Sequence, residues 1–213
     1  MEVKREHIDK VLDLAKLSFL FAKTNRSTFH EDGERAESDT DHTFMLSLVA
    51  CSIADTFYKD TLDLGLVSQF ALIHDLVEAY ALDTDTFLNN DKKAQIEKHK
   101  KEVKALERIG KEFNQEYSWA YKKIVEYETQ SSKEARFVKF VDKFLPEITN
   151  IFNNFAYIKS VNADKEKFYS FYKEKFERLK EKNIHEFPEL IAIHEGISNR
   201  MYNLYEKAFK KMI

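Results

Sequence analysis

Ser68-Gln69-Phe70-Ala71-Leu72-Ile73-His74-Asp75-Leu76-Val77-Glu78-Ala79-Tyr80 is the stretch on which the reading of this chain turns. It is apolar nearly throughout, which predicts a buried helix. Three titratable side chains lie inside it: His74, Asp75 and Glu78. Burying such groups is costly unless they are paired or bound to a metal. Adjacent residues on a helix of about 3.6 residues per turn diverge by about 100°. His74 and Asp75 can therefore both reach one cation near the helix surface. Glu78, four residues after His74, would share its face. For the His-Asp dipeptide alone, ordinary pairing with neighbouring side chains is the better account, so the rest of the chain decides.

The 213 residues suit one domain with a sizeable core, expected to span residues 1–213. Only 4 Gly and 2 Pro occur, far below the usual usage of about 7% and 5%. So few breakers predict an all-helical protein. With 18 Phe and 10 Tyr, the core should be rich in aromatic rings. Lys+Arg (34) nearly balances Asp+Glu (37), for a formal net charge of -3. That balance implies no broad basic field and argues against a nucleic-acid binder. Cys51 is the single cysteine, so no intramolecular disulfide can form. The first residues lack the apolar core of a signal peptide. No apolar run approaches the roughly 20 residues that span a membrane. A cytoplasmic protein with no membrane partner is the expectation.

Working outward, apolar positions from Ile8 to Phe21 predict a helix over about 5–24. The polar segment 24–37 reads as a loop with a turn at Gly33, and it carries Arg26 and Arg35. Ser38 and Asp41 have the spacing of a capping box, opening a helix that runs to about Lys59 with His42 in its first turn. After Tyr80 comes an acidic loop, Ala81-Leu82-Asp83-Thr84-Asp85-Thr86. A charged helix is predicted over about 91–113, with a stripe of Ile96, Val103, Leu106 and Ile109 and a solvated charged face. Further helices are expected over about 116–130, through 132–146, and as a pair over 163–213 that splits near Asn183 to Pro188. Pro146 removes the hydrogen bond to the carbonyl of Asp142, so a bend is expected there.

Four ligand-type side chains thus sit in semi-apolar settings: His42, His74, Asp75 and Asp142. The gaps are 32 residues from 42 to 74 and 67 residues from 75 to 142. A helical bundle can bring such distant side chains to one point, leaving open positions on an octahedral cation for water and substrate.

The pattern H…HD…D on these four residues resembles the HD-domain metal-dependent phosphohydrolases. Glu37-Ser38-x-x-Asp41-His42 is similar to the family's E-S-x-[AS]-E-H helix start. His74-Asp75-Leu76-Val77-Glu78 followed by Asp83-Thr84 is similar to its H-D-L-x-E-x-x-x-x-D-T segment. Glu134-Ala135-Arg136-Phe137-Val138-x-x-x-Asp142-Lys143 is similar to its E-A-x-F-x-x-x-x-D-K/R helix. The resemblance covers roughly residues 20–160 and leans towards the branch of the bacterial 5′-deoxynucleotidases.

It implies an all-α HD-domain helical bundle with additional C-terminal helices at about 163–213, often a homodimer. It implies one divalent metal ion (Mn, Co, Fe, Zn or Mg) held by His42, His74, Asp75 and Asp142. Glu78 matches the carboxylate implicated in proton transfer, and Asp83 an acidic residue facing the sugar or leaving group. Arg26 matches the arginine that holds the substrate phosphate, with Arg35 as its rival. The implied substrate is a small nucleotide, a (deoxy)nucleoside 5′-monophosphate cleaved to nucleoside and phosphate.

Three positions depart from the pattern. Asp41 replaces the usual Glu, and Leu82 replaces a Gly before the second acidic residue. Ser27 stands where deoxynucleotidases carry an aromatic that helps exclude the ribose 2′-hydroxyl, which predicts weaker discrimination against ribonucleotides. Two other readings stand beside the nucleotidase: hydrolysis of another phosphoester or pyrophosphate (a nucleoside triphosphate, alarmone or cyclic nucleotide), and a non-catalytic nucleotide-sensing protein. His194-Glu195 begins a zinc-protease motif, but Ser198 occupies the position of its second histidine. His7, His30, His99 and His185 are expected at the surface.

Overall fold

The capping box at Ser38 shows how local chemistry starts a helix here. The Ser38 hydroxyl accepts from the Asp41 backbone N–H, and the Asp41 carboxylate accepts from the Ser38 N–H at 3.0 Å. Helix α2 (Asp39–Phe57) begins at that box. The computed structural model describes residues 2–89, 91–113, 115 and 117–209. Before α2 come helix α1 (Arg5–Lys23) and a two-stranded hairpin, β1 (Asn25–Phe29) and β2 (Ala36–Ser38). After it come α3 (Leu64–Ile73), α4 (Glu78–Ala81), α5 (Lys92–Phe113), α6 (Trp119–Thr129), α7 (Lys133–Phe152), α8 (Ala156–Ser160), α9 (Lys165–Asn183) and α10 (Pro188–Phe209). The all-α expectation holds, with the hairpin as an addition. The expected start of α6 at 116 and the chain end at 210–213 lie outside the described residues. Among the described residues, no helix is long and apolar enough to cross a membrane.

The chain forms two compact units, Met1–Arg26 with Ser38–Val138, and Ser27–Glu37 with Lys139–Ile213. In the first, α2 packs against α3 around Leu46, Ala50, Val67, Phe70 and Ala71, none of them exposed. Ile109 of α5, with Ile124 and Tyr127 of α6, closes that core. In the second, an aromatic cluster dominates: Phe168 stacks on Tyr205 with centroids 4.1 Å apart, and Tyr205 stacks on Phe209 at 4.2 Å. His194 belongs to this core. It is fully buried, its Nε2 lies 2.7 Å from Glu147 Oε1, and the Ser198 hydroxyl donates to Glu147 Oε2. His194 and Ser198 of the incomplete zinc-protease motif thus serve a buried polar network with Glu147.

Three expectations need correction. The stretch 68–80 is not one helix. α3 ends at Ile73, and Leu76, Glu78 and Ala79 donate to the carbonyls of Ile73, Asp75 and Leu76. These three-residue closures wind tighter than an α-helix. His74 Nδ1 meanwhile lies 2.9 Å from the Ala71 carbonyl, so a side chain engages the backbone at the break. The segment 24–37 is not a plain loop. His30 N–H bonds the Arg35 carbonyl, and Gly33 turns the chain at φ +73. A positive φ is a conformation glycine adopts without a Cβ clash. The α5 stripe is also displaced: Ile96 and Val103 are exposed, while Ala105, Ile109 and Phe113 are buried. Helix α7 runs on through Pro146.

Candidate metal centre

His42 lies in the first turn of α2, His74 and Asp75 in the tightened turn after α3, and Asp142 in the middle of α7. Each offers one ligand atom, and these atoms all lie within 4.8 Å of one another. His42, His74 and Asp142 are buried and Asp75 is half-buried. The His42 and His74 rings sit 5.3 Å apart, and the Tyr127 ring meets His74 edge-on at 6.1 Å. All four residues read from the sequence as ligands are therefore brought together.

The donor set could hold a divalent ion after small side-chain shifts. Ligand atoms about 2.1 Å from one ion lie about 3 Å apart when adjacent and about 4 Å apart when opposite. His74 adds a specific reason. With its proton on Nδ1, donated to the Ala71 carbonyl, Nε2 presents a lone pair. That atom lies 2.9 Å from Asp75 Oδ2, a second electron-rich atom, and a shared cation relieves the repulsion between them.

Charges crowd this corner of the first unit. Arg26 on β1 places Nη1 3.2 Å from Asp75 Oδ2 and 3.6 Å from Asp39 Oδ1. Asp39 is wholly buried and neither of its oxygens makes a hydrogen bond among the described residues. Burial pushes its carboxyl up to about 7; Arg26 opposes the rise, and Asp75 and Asp83 add to it. Glu78 opens α4 and is 3% exposed. Burial and then the Asp75 charge raise it well above the ordinary carboxylate range, against the pull of Lys98. Lys98 Nζ sits 3.0 Å from Glu78 Oε1. Asp83, half-buried just past α4, also raises both Asp39 and Glu78.

Arg35 is exposed, and its backbone closes the hairpin turn through Asp32 and His30. Ser27 is exposed on β1. Two residues at this corner were missed in the sequence: Asp39, inside a helix start read for its cap, and Lys98, inside a charge run read as solvated. A signal for Lys98 existed. Positions 98, 102, 105, 109 and 113 form one helical stripe, so the buried face of α5 leads straight to it.

The HD domain family profile matches residues 22–183. The human protein named 5′-deoxynucleotidase HDDC2 is 34% identical over 111 residues, which are 52% of this chain and 51% of that protein. The Danio rerio protein of the same name is 30% identical over 137 residues, 63% of this chain and 65% of the relative. The chain spans about half the length of the human and mouse relatives it matches. Among solved structures, a protein from Magnetospirillum magnetotacticum described as a predicted metal-dependent phosphohydrolase superposes with a TM-score of 0.73 at 20% identity, covering 93% of this chain and 94% of that one. A conserved hypothetical protein from Pyrococcus furiosus gives 0.60 at 23% identity, covering 88% and 99%. At such identities these two likenesses concern the fold.

Proposed function

The chain belongs to the HD-domain family, and from that premise we propose that it is a divalent-metal-dependent 5′-nucleotidase acting on (deoxy)nucleoside monophosphates. The observation that carries the proposal is the convergence of His42, His74, Asp75 and Asp142 ligand atoms within 4.8 Å. Relatives named as 5′-deoxynucleotidases support the choice of substrate class. Histidine with carboxylate donors suits Mn²⁺, Co²⁺, Fe²⁺ or Zn²⁺. When bound, such an ion supplies Lewis acidity to a phosphate oxygen and to water.

The chain's own residues do the rest. Arg26, an arginine with its charge beside the ligand carboxylate Asp75, binds the phosphate oxygens and neutralises their charge. Glu78, whose carboxyl is raised by burial and then by the Asp75 charge, handles the proton that goes to the leaving 5′-oxygen. Asp83 lies beyond Glu78 and faces the sugar. The outward stripe of α1, with Ile8, Val11, Leu12 and Phe19 exposed, supports a homodimer. Monomers in sedimentation equilibrium at micromolar concentration would reject the dimer.

Glu78→Gln tests the mechanism. It keeps size and hydrogen-bonding reach but cannot ionise. Metal content should hold while kcat falls by about 10²- to 10⁴-fold, the usual worth of general acid–base catalysis. Unchanged kcat removes Glu78 from the chemistry. Loss of metal makes it a ligand instead.

A further inference from the structure

Helix α4 has four residues, too few to hold itself in place. Two polar clasps fix it to α5. In one, the Tyr80 hydroxyl donates to Glu112 Oε2 at 2.7 Å, and the Arg108 guanidinium lies 3.7 Å over the Tyr80 ring. In the other, Lys98 Nζ reaches Glu78 Oε1 at 3.0 Å and Glu102 Oε1 at 3.1 Å.

The second clasp is unequal in an informative way. Lys98 continues the inward stripe of Ala105, Ile109 and Phe113, so the packing of α5 aims its ammonium at Glu78. Glu78 Oε1 is held, while its other oxygen, Oε2, is buried with no hydrogen-bond partner among the described residues. The other charges acting on Glu78 are carboxylates: Asp75, Asp83 and Asp39. A buried carboxyl among three others needs a cation to stay where it is. An unheld oxygen on a fixed carboxyl is the atom left for substrate.

We propose that Lys98 is a positioning residue, whose ammonium pins Glu78 Oε1 and thereby presents Oε2 to the leaving group. This rests on the role given to Glu78 above. Lys98 touches neither ligand atoms nor phosphate in the proposal; it acts through Glu78 alone.

The test compares Lys98→Met, Lys98→Arg, Glu78→Gln and the Lys98→Met/Glu78→Gln double variant. Each is measured for metal per chain, melting midpoint, and kcat and KM on dAMP. Lys98→Met should lower kcat by about tenfold or more, the usual cost of losing the partner that orients an active-site group. Metal content should be unchanged and KM should move by less than about twofold, since uniform binding is untouched. Lys98→Arg keeps a cation in reach and should recover most of kcat. The double variant should be no slower than Glu78→Gln, because residues acting as a unit are non-additive. Full kcat in Lys98→Met beside a crippled Glu78→Gln overturns the role of Lys98 alone. Full kcat in Glu78→Gln overturns the reading beneath it. A lowered melting midpoint with intact kcat reduces Lys98 to a clamp and also overturns the proposal. Should Lys98→Met not fold, Glu102→Gln decides: it removes the second anchor of the ammonium, and a kcat equal to wild type counts against the proposal.

Discussion

Asp39→Asn is the most exposing perturbation of this corner, because it removes a buried charge while keeping the shape of the side chain. Asp39 is wholly buried, with Arg26 3.6 Å away and, among the described residues, no hydrogen bond to either oxygen. Its carboxyl is raised from the ordinary 3.8 to about 7. A raised folded-state pKa means that the native chain holds its proton more tightly than the unfolded chain. The penalty on folding is therefore absent well below pH 4, grows as pH rises from 4 to 7, and is constant above. At about 1.4 kcal/mol per pH unit, a gap of about 3 units makes the plateau about 4 kcal/mol. Asparagine has no such slope. It leaves an amide buried without partners, a cost of about 1–3 kcal/mol that does not vary with pH. In metal-free protein, urea unfolding at pH 5, 6, 7 and 8 should show the Asn variant gaining on wild type by about 1 kcal/mol per pH unit up to pH 7. The gain should then level off, leaving the variant the more stable protein at pH 8. A stability gap independent of pH refutes the reasoning: the native carboxylate would then be compensated by Arg26, and Asp39 would ionise as an ordinary acid.

Asp142→Ala should lose metal and phosphatase activity together, whereas wild type should retain about one divalent ion per chain; elemental analysis beside a phosphate-release assay checks both. Because Ser27 is small and exposed, kcat/KM for AMP and dAMP should differ by less than about tenfold, the discrimination a single methylene-sized contact supplies. Strong rejection of AMP would assign the reading of the 2′-position to another side chain. Phe168→Ala should destabilise by about 3–5 kcal/mol in chemical denaturation, since the ring is fully buried and stacked on Tyr205. A cost below about 1 kcal/mol would mean that the aromatic cluster closes over the cavity.

The proposed ligand set was legible in the sequence because titratable groups in apolar surroundings are conspicuous. A histidine or aspartate set among Phe, Val and Leu needs a partner, and His74, Asp75 and Asp142 stand in such runs, while His42 lies between a polar helix start and the apolar run that follows it. The α2 start was legible for the same reason of local chemistry, since a capping box is written in four consecutive residues. What escaped depended on geometry that periodicity does not carry. The helix break at His74 comes where a side chain engages the Ala71 carbonyl, and an apolar run gives no sign of that. The hairpin at β1 and β2 lacks the alternation of a half-buried strand: Asn25-Arg26-Ser27-Thr28-Phe29 places polar residues on both faces. Lys98 escaped because charge was equated with solvent. A long ammonium stem can lie along an apolar stripe while its head seeks a carboxylate, and on α5 that carboxylate is Glu78. The two acids with raised pKa values follow from the same geometry. Asp39 and Glu78 are each raised by burial first and by neighbouring carboxylates next, and the largest opposing charge on each is a cation, Arg26 on Asp39 and Lys98 on Glu78. Those two cations are held differently. Arg26 lies beside Asp75, where in the proposed reaction a phosphate would take over its charge, whereas Lys98 is anchored on its own helix by Glu102 and stays with Glu78.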